Sequence, residues 1–401
     1  MKCLLVSFFN SHNIGDCIIA ESLYNTVSKE YETEKYSYSG DPYTITDIND
    51  IIKTNSKNSN KIKKNVYRLI KKTKLEKLIS NYKLIKNKDI FKELEEKMKN
   101  IDLLVIGGGN MIFDTERNSA SAKKFDSFIT LAKKNNKKIF AIALGIGPFF
   151  NSQQEKDACQ ALSKCDYISF RDQKSYDIYV KHIKKTDNVY VTVDPVFFLP
   201  NYNIKKESTK KTIGVNLFNS KLIHASKEEY DKLVNEYCIL IEKLRLSLNV
   251  KVILFSTDLT DYETIYKVYN QLSNKKNIEV HEINGFNDLI ELYGKLTILV
   301  GMRMHSMIIA ITQHIPVVGI SWQPKVDSFF NIINKKENVF DYNEIYNSID
   351  DIVDCCKDNL VNEVHKKNDL ISTLSSIKEK EKIDSTILSQ IKKISENTKY
   401  I

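Results

Sequence analysis

The fold is decided most clearly by one stretch, LTILVGMRMHSMIIAITQHIPVVGIS, at residues 296–321. Two short apolar runs, at 296–302 and 315–321, flank an apolar helical pattern at 305–313. Because neither run alternates between apolar and polar residues, the pattern predicts two strands that are buried on both faces and joined by a helix. Units of this kind build parallel sheets that are covered by helices.

The same alternation of strands and helices runs along the chain on either side of this stretch, with one interruption. The interruption, at 200–210, is rich in Pro, Asn and Lys and is typical of an interdomain linker. We therefore predict an α/β fold of two doubly wound Rossmann-like domains that face a cleft, at 1–200 and 201–345, followed by a charged helical tail at 346–401. Ligands of such sheets lie where strands end, so polar residues directly after strands are candidates for a site.

The predicted elements alternate in each domain. Strands are predicted at 2–9, 101–109, 137–147, 165–172 and 188–199 in the first domain and at 211–218, 250–257, 277–283, 296–302 and 315–321 in the second. Helices are predicted at 15–31, 120–135, 153–163, 173–183, 226–248, 261–273, 286–295 and 305–313.

Composition is typical of a soluble globular protein. Of 401 residues, 42% are apolar, and no run approaches the roughly 18 apolar residues of a membrane span. Seven cysteines without metal-binding spacing indicate a reduced protein with no metal site. The N-terminus lacks a signal-peptide pattern. We therefore predict a cytoplasmic localisation.

The net charge of +9 is concentrated in one segment, 53–99, which holds sixteen Lys or Arg against five Asp or Glu. One interpretation is a pair of lysine-rich helices on a solvated face. The other is peripheral docking on the anionic inner face of the cell membrane, because apolar stripes recur there at helical spacing. Few aromatic residues interleave with the lysines, which argues against binding to nucleic acid.

The strongest chemical signal is the pair Arg303 and His305, at the change from strand to helix. Only five arginines occur among sixty cationic residues, so an arginine at this place calls for a specific role. A helix N-terminus favours anions, and it tolerates a cation when an anion lies between them. Histidine can donate or accept a proton near neutral pH. The pair therefore predicts a phosphate or carboxylate site in which His305 handles a proton.

Two motifs follow strands of the first domain. Asn13, Gly15 and Asp16 precede a helix, where they either cap it or form an acceptor-binding loop in which Gly15 lets a ligand approach the backbone. The run Gly107, Gly108, Gly109 and Asn110 either makes a tight turn or contacts a ligand. It matches neither a Walker loop nor a dinucleotide fingerprint.

Further polar residues follow other strands. Arg171 either pairs with Asp172 at a helix start or uses its planar fork to bind a carboxylate or phosphate. Asp194 precedes a proline and either makes a turn, which is favoured, or reaches the cleft. Lys325 can point into the anion site with Trp322 as a wall, or both can lie on a surface loop.

Seven motifs occur in a fixed order over about residues 1–330. They are NIGD (13–16), IGGGN (106–110), GIGP (145–148), SFRD (169–172), VDPVF (193–197), GMRMHS (301–306) and PVVGISWQPKV (316–326). This ordered set resembles the polysaccharide pyruvyl transferase family.

The resemblance implies a GT-B-like fold and the transfer of the enolpyruvyl carbons of phosphoenolpyruvate onto two sugar hydroxyls, with a ketal formed and phosphate released. It implies donor-site roles for Arg171, for Arg303 with His305, and for Lys325. Phosphoenolpyruvate is then a substrate, no further cofactor is needed, and the acceptor is a sugar or lipid-linked glycan of the cell envelope. Two alternatives stay open: a nucleotide-sugar-dependent GT-B glycosyltransferase and a non-catalytic carbohydrate-binding relative.

Overall fold

A computed structural model of the protein contains two parallel six-stranded sheets with flanking helices. The structure describes residues 1–38, 92–203 and 210–398, except residues 12, 115, 118, 120, 220 and 222–225. The segment predicted either to be solvated or to dock on a membrane, at 53–99, lies outside the described residues apart from 92–99, which are helical.

The first sheet is built from strands in the N-terminal half. They are β1 (Lys2–Ser7), β2 (Glu32–Ser37), β3 (Leu103–Asp114), β4 (Lys138–Phe149), β5 (Tyr167–Phe170) and β6 (Val189–Val191). The helices between them are α1 (Ile14–Val27), α2 (Ser121–Lys134), α3 (Ser152–Leu162) and α4 (Gln173–His182). The spatial order β2-β1-β3-β4-β5-β6 reverses between β1 and β3, which opens a crevice at the carboxyl ends of these two strands.

The second sheet repeats this plan. Its strands are β7 (Thr212–Asn216), β8 (Lys251–Phe255), β9 (Ile278–Val280), β10 (Ile298–Gly301), β11 (Val317–Ser321) and β12 (Val339–Asp341). Its helices are α5 (Lys227–Leu248), α6 (Tyr262–Gln271), α7 (Phe286–Lys295), α8 (Met304–Thr312) and α9 (Pro324–Ile332). The order β12-β11-β10-β7-β8-β9 reverses between β7 and β10. Two parallel α/β sheets, as predicted, are therefore confirmed, while the residue limits of the domains stay predictions.

The C-terminal tail is helical, as predicted, and consists of α10 (Ile345–Val361), α11 (Glu363–Lys378) and α12 (Glu381–Thr398). Helix α10 packs on α5 of the second sheet, whereas α12 returns to α1 of the first. The Tyr31 hydroxyl donates to the Leu388 carbonyl oxygen at 3.2 Å, which joins the end of the chain to its beginning. None of the described helices is both long enough and apolar enough to cross a membrane.

One apolar cluster extends across both sheets and the tail. It includes Ile18 and Leu23 of α1, Ile308 of α8 and Leu388 of α12, all of them buried. The two halves therefore share a core at the point where their helices meet, and this shared core sets the position of the groups in the cleft.

Several elements differ from the sequence prediction. Strand β2 escapes prediction because its sequence, ETEKYS, is polar and partly exposed at the sheet edge. The predicted strand at 188–199 shortens to β6, since Asp194 accepts from the Val196 amide and starts the 3₁₀ turn Pro195–Phe198. The surface loop considered around Lys325 is helix α9, with Pro324 in its first turn, a position that proline favours.

Candidate functional site

The starts of helices α1 and α8 meet between the two sheets. The Ile14 amide donates to the Thr257 carbonyl oxygen at 2.8 Å, and Asn13 forms an antiparallel bridge with Asp258. These contacts join the loop after β1 to the loop after β8. The carboxyl ends of both sheets therefore border one site.

His305 lies in the first turn of α8 and packs against α1. A Cβ atom on Gly15 would lie 2.3 Å from His305 Nδ1, so the glycine leaves the room that the imidazole needs. The other ring nitrogen, Nε2, is buried and has no hydrogen-bond partner among the described residues. Gly15 is predicted to admit a ligand to the backbone, whereas in the structure it admits a side chain from the other half of the molecule.

Arg171 follows β5 and is buried over Gly145, where a Cβ atom would lie 2.8 Å from Arg171 Nε. Arg171 Nη1 donates to Asp194 Oδ2 at 2.6 Å. The contact between Arg171 and Asp172 is longer, 3.9 Å, because Asp172 caps α4 by accepting from the Ser175 amide. The principal partner of the guanidinium is thus Asp194 rather than its neighbour in sequence.

Asp194 is 4% exposed and lies between two predicted donor-site groups. Its Oδ1 accepts from the Val196 amide at 3.1 Å, while Oδ2 faces Arg171 and lies 3.6 Å from His305 Nε2. The latter distance is longer than a normal hydrogen bond. Burial opposes ionisation, but the Arg171 guanidinium, followed by His305, holds the pKa of Asp194 well below its usual range. Asp194 is therefore an anion.

Lys325 lies in the first turn of α9 and faces the same group of charges. Burial, reinforced by the nearby Arg171 guanidinium, lowers its pKa to about 8. The ammonium group forms no hydrogen bond or ion pair with any residue that the structure describes. A cation of this kind gains a partner when an anion enters the site.

A small pocket opens beside Lys325. Its polar wall is formed by Arg171, Asp172, Asp194, Lys325 and Ser328, and its apolar wall by Phe197, Met304, Ile308, Phe329 and Ile332. The pocket therefore combines charged groups of both signs with an apolar wall.

Arg303 precedes α8 at the point where the second sheet reverses its strand order. Its Nε and Nη2 donate to the two carboxylate oxygens of Asp261 at 2.9 and 2.7 Å, and Nη2 lies 3.2 Å from Asp258. The Arg303 amide donates to the Asn216 side chain at 2.9 Å. The guanidinium that is predicted to bind an anion is therefore already paired with carboxylates of its own half of the molecule.

Trp322 belongs to this second group of residues. Its ring stacks on Phe218 with centroids 3.8 Å apart, and its Nε1 donates to the Met302 carbonyl oxygen at 2.8 Å. The Arg303 guanidinium lies 4.8 Å from the centroid of the Phe218 ring. Trp322 thus walls Arg303 rather than the pocket at Lys325, and side chains fill the crevice between β7 and β10.

Asn13 and Asp16 differ in the hydrogen bonds that their side chains form. Asn13 Oδ1 accepts from the Gly15 amide at 2.9 Å and so caps α1. Asp16 Oδ2 accepts from the Ser11 hydroxyl at 3.1 Å, and the residue stays partly exposed. Its negative charge acts on Lys325. Asp16 is therefore the member of this motif that still presents a polar group to the cleft.

The glycines at 107–109 lie inside β3 rather than in a turn. Gly108 and Gly109 have φ angles of 81° and 88°, which favour glycine. A Cβ atom on Gly108 would lie within 2.7 Å of side chains of α1, so this residue serves close packing between strand and helix, whereas Gly107 packs on the Ile142 carbonyl oxygen of β4. Asn110 next to them donates to the Gly147 carbonyl oxygen, and its Oδ1 lies with Arg171 over Gly145.

The structure therefore divides the predicted residues into two adjoining groups. Arg171, His305 and Lys325 surround Asp194 at the boundary between the two halves. Arg303 and Trp322 lie in the second half with Asp258, Asp261 and Phe218. The two aspartates escape sequence analysis, although their position after β8, in FSTDLTD (255–261), is the same signal that marks the other site residues.

The arrangement favours the chemistry of anions and protons. Arg171, Lys325 and His305 lie around one buried carboxylate, that of Asp194. Among the described residues, no group of three or more His, Cys, Asp or Glu side chains is arranged to hold a metal ion.

Comparison with known proteins gives both a family and a fold. The model of the family described as polysaccharide pyruvyl transferase matches residues 13–324. No curated protein matches the chain. Among solved structures, Anabaena Alr3699/HepE in complex with UDP and glucose has a TM-score of 0.53 at 10% identity, with 100% of both chains covered.

Two other solved structures have TM-scores of 0.55. MnaA of S. aureus with UDP is 12% identical, with 92% of this chain and 90% of that chain covered. UDP-GlcNAc 2-epimerase from Methanocaldococcus jannaschii is 10% identical, with 88% and 92% covered. At such identities the likeness concerns the fold alone, and it agrees with a GT-B-like arrangement of two α/β domains.

Proposed function

Because the chain belongs to the polysaccharide pyruvyl transferase family, we propose that it moves the pyruvate moiety of phosphoenolpyruvate onto two hydroxyls of one sugar. The sugar is part of a cell-surface polysaccharide or of its lipid-linked precursor. The products are a cyclic ketal and inorganic phosphate. Phosphoenolpyruvate serves as donor substrate, and the proposed reaction needs no other cofactor and no metal.

The observation that carries this proposal is the site around Lys325. The Lys325 ammonium group, which has no partner among the described residues, lies with Arg171 beside a small pocket that has an apolar wall, and His305 contacts Asp194 of the same pocket. Phosphoenolpyruvate is a small molecule with two anionic groups and one apolar methylene group. The cations would offset the phosphate and the carboxylate, while the apolar wall formed in part by Met304 and Ile308 would accept the methylene end.

The proposed reaction balances in atoms and charge. The methylene carbon takes up a proton and becomes a methyl group, so C2 acquires oxocarbenium character. One sugar hydroxyl forms a bond to C2 and loses its proton. The bond from C2 to the phosphate oxygen breaks, and the second hydroxyl closes the ketal and loses its proton. One of the two hydroxyl protons replaces the proton taken up by carbon, and the other leaves on hydrogen phosphate.

Each residue has a role in this scheme. His305 exchanges the proton, because it is the histidine that lies beside Asp194 at the boundary between the two halves. Arg171 and Lys325 hold the donor, and Asp16 holds the acceptor from the α1 side. Arg303 supports the site through its pairing with Asp261. The enzyme would act in the cytoplasm, where donor and precursor meet, with the basic segment at 53–99 as an optional contact to the anionic membrane.

The principal alternative is a GT-B glycosyltransferase that uses a nucleotide sugar. Nucleotides of doubly wound folds bind where the strand order reverses. In the second half of this protein that crevice, between β7 and β10, is filled by Arg303, Asp261 and the stacked rings of Phe218 and Trp322. This filling favours the small donor over a nucleotide.

The test is a product analysis with competing donors. The protein is incubated with phosphoenolpyruvate or with UDP-sugars, and with free and lipid-linked model sugars. Release of phosphate together with a pyruvate ketal, detected by mass spectrometry and NMR, is expected from phosphoenolpyruvate. Turnover of a UDP-sugar instead would identify a glycosyltransferase, and sugar binding without turnover of any donor would identify a non-catalytic relative.

A further inference from the structure

We infer that Asp194 is a positioning residue: it holds the proton of the neutral His305 ring on Nε2 and leaves Nδ1 as the nitrogen that exchanges a proton with a substrate. The use of Nδ1 in catalysis rests on the proposed function. The placement of the proton rests on the geometry of the side chains alone.

Asp194 is held at both of its oxygens. The Val196 amide donates to Oδ1 at 3.1 Å, and Arg171 donates to Oδ2 at 2.6 Å. Because the side chain is 4% exposed, water does not compete freely for either oxygen. The carboxylate therefore has one orientation, and in that orientation Oδ2 faces His305.

The imidazole is held from the opposite side. The edge of the ring that contains Cβ, Cγ and Nδ1 packs on Gly15, at distances that leave no room for a Cβ atom there. This packing directs Nε2 towards Asp194, 3.6 Å away, at a place where Nε2 has no hydrogen-bond partner among the described residues. Carboxylate and imidazole thus face each other from two halves of the molecule.

The charges then decide where the proton lies. A lone pair on Nε2 would face the lone pairs of an anionic oxygen, which is repulsive, whereas an N–H group would be attracted to it. Which nitrogen of a histidine reacts is set by the interaction that the other nitrogen makes. The proton accordingly belongs on Nε2, and the lone pair belongs on Nδ1 at the α1 side of the cleft.

The arrangement predicts an unusual effect for Asp194→Asn. The Val196 amide would still donate to the carbonyl oxygen of the new side chain, so the NH₂ group would replace Oδ2, and Arg171 would lose the acceptor that it has there in the wild type. That NH₂ group would donate to Nε2 of His305 and drive the ring proton to Nδ1. The substitution should therefore exchange the two ring tautomers rather than merely weaken a contact.

The experiment is NMR of the full chain with ¹⁵N-labelled histidine, without any substrate. His305→Gln identifies the signals of His305. At a pH where the ring is neutral, the wild type should show a protonated Nε2 and an unprotonated Nδ1, and Asp194→Asn should show the reverse. Identical ring ¹⁵N shifts in the two proteins would overturn the inference.

A second variant guards against misfolding, because Asp194→Asn leaves the buried Arg171 without its anion. Arg171→Gln with Asp194→Asn removes both charges and keeps two amides that can bond to each other. The same exchange of tautomers is expected in this double variant, and the wild-type tautomer there would contradict the inference.

Kinetics separate this inference from the proposed function. If pyruvyl transfer occurs, Asp194→Asn should lower kcat by roughly a hundredfold or more, by analogy with other misplaced histidine tautomers, with a smaller change in KM for phosphoenolpyruvate. Absence of transfer in the wild type would refute the proposed function and leave the NMR result valid. Transfer together with unchanged tautomers would refute the positioning role alone.

Discussion

At the scale of single residues, the space beside Gly15 admits His305 to the centre of the molecule. Gly15 lies in the first turn of α1, where alanine would be preferred for helix stability by about 1 kcal/mol. The contact with the imidazole outweighs that preference, since a methyl group would occupy the position of the ring. The absence of a side chain at Gly15 thus determines where the His305 ring can lie.

Gly15→Ala should therefore destabilise the protein by about 1–3 kcal/mol, as expected for an overpacked contact, and should abolish most of the transfer activity. Urea unfolding and the rate of phosphate release measure the two effects. In a His305→Ala background the same substitution should lower the free energy of unfolding much less, because the new methyl group no longer clashes with an imidazole ring. Equal costs in both backgrounds would show that the two residues do not interact.

The unpaired Lys325 predicts how donor binding depends on pH. Its pKa of about 8 lies below the ordinary value for lysine, so the ammonium group loses its proton as the pH rises through that value. Affinity for phosphoenolpyruvate should therefore be full below pH 8 and should fall above it, as measured by calorimetric titration. Folding has the opposite dependence: the folded state disfavours the charged form, so the free energy of unfolding of the free protein should rise as the pH increases from about 8 to the ordinary lysine value of 10.5.

Two substitutions serve as controls for Lys325. Lys325→Arg keeps a charge at every accessible pH, so its affinity for the donor should stay constant through this range. Lys325→Met should bind weakly throughout. A wild-type protein whose affinity does not change through pH 8 would remove Lys325 from the donor site.

At the scale of elements, an ion pair spans the point at which the second sheet reverses its strand order. Arg303 comes from the end of β10 and Asp261 from the loop after β8, and the two bond through two parallel contacts. Asp261 is 0% exposed, and burial raises its pKa although the guanidinium opposes that shift. The pair joins three neighbouring strands through the Asn216 contact.

Asp261→Asn should cost roughly 3–5 kcal/mol of stability, because it leaves a buried guanidinium without its main partner. Thermal unfolding of the two proteins measures the difference. Glu379→Gln is the matched control, since it breaks an exposed pair with Lys382 and should cost less than about 1 kcal/mol. A similar loss in both variants would mean that Arg303 is satisfied by Asp258 alone.

The sequence predicts which strand ends border the candidate site, whereas it does not predict how the side chains pair there. Polar residues that follow apolar strands make Arg171, Arg303 and Lys325 candidates, because parallel strands end at one edge of a sheet. Pairing depends instead on which loops the fold brings together. Arg171 and Asp194 are 23 residues apart, and Arg303 and Asp261 are 42 apart, and nothing in the local pattern links them.

The short elements were missed for a related reason. The polar edge strand β2 lacks the apolar run of a buried strand, and β12 contains only three residues. Such elements form because a neighbouring strand provides hydrogen bonds, and tertiary context of this kind is absent from the local sequence. The long apolar strands needed no such help, and the two-sheet architecture could therefore be predicted.

At the scale of the whole molecule, both halves and the tail share one apolar cluster. Leu388 of α12 is 0% exposed and belongs to the same cluster as Ile18 and Ile308. Because the cluster is continuous, we expect calorimetry to show a single cooperative unfolding transition for the described residues. Two separate transitions would contradict this view of the core.

Leu388→Ala should lower that transition as a whole, at a cost of about 2–5 kcal/mol for a buried leucine. The tail would then contribute to the stability of the first half, although it follows the second half in sequence. Val364 of the tail helix α11 is 76% exposed, so Val364→Ala should leave the transition nearly unchanged. A shift confined to one part of the melting curve would show that the tail stabilises only its own neighbourhood.

The return of α12 to α1 also bears on how such proteins can be recombined. A chimaera that joins the first half of this chain to the second half of a relative would normally be cut once, in the linker near residue 200. After such a single cut, the helix that packs on Tyr31 would come from the relative. The reason is that Leu388, whose carbonyl oxygen accepts from the Tyr31 hydroxyl, lies near the C-terminal end of the chain. Exchange of one half should therefore succeed with two crossovers, the second of them just before α12, so that the first half keeps its own C-terminal helix.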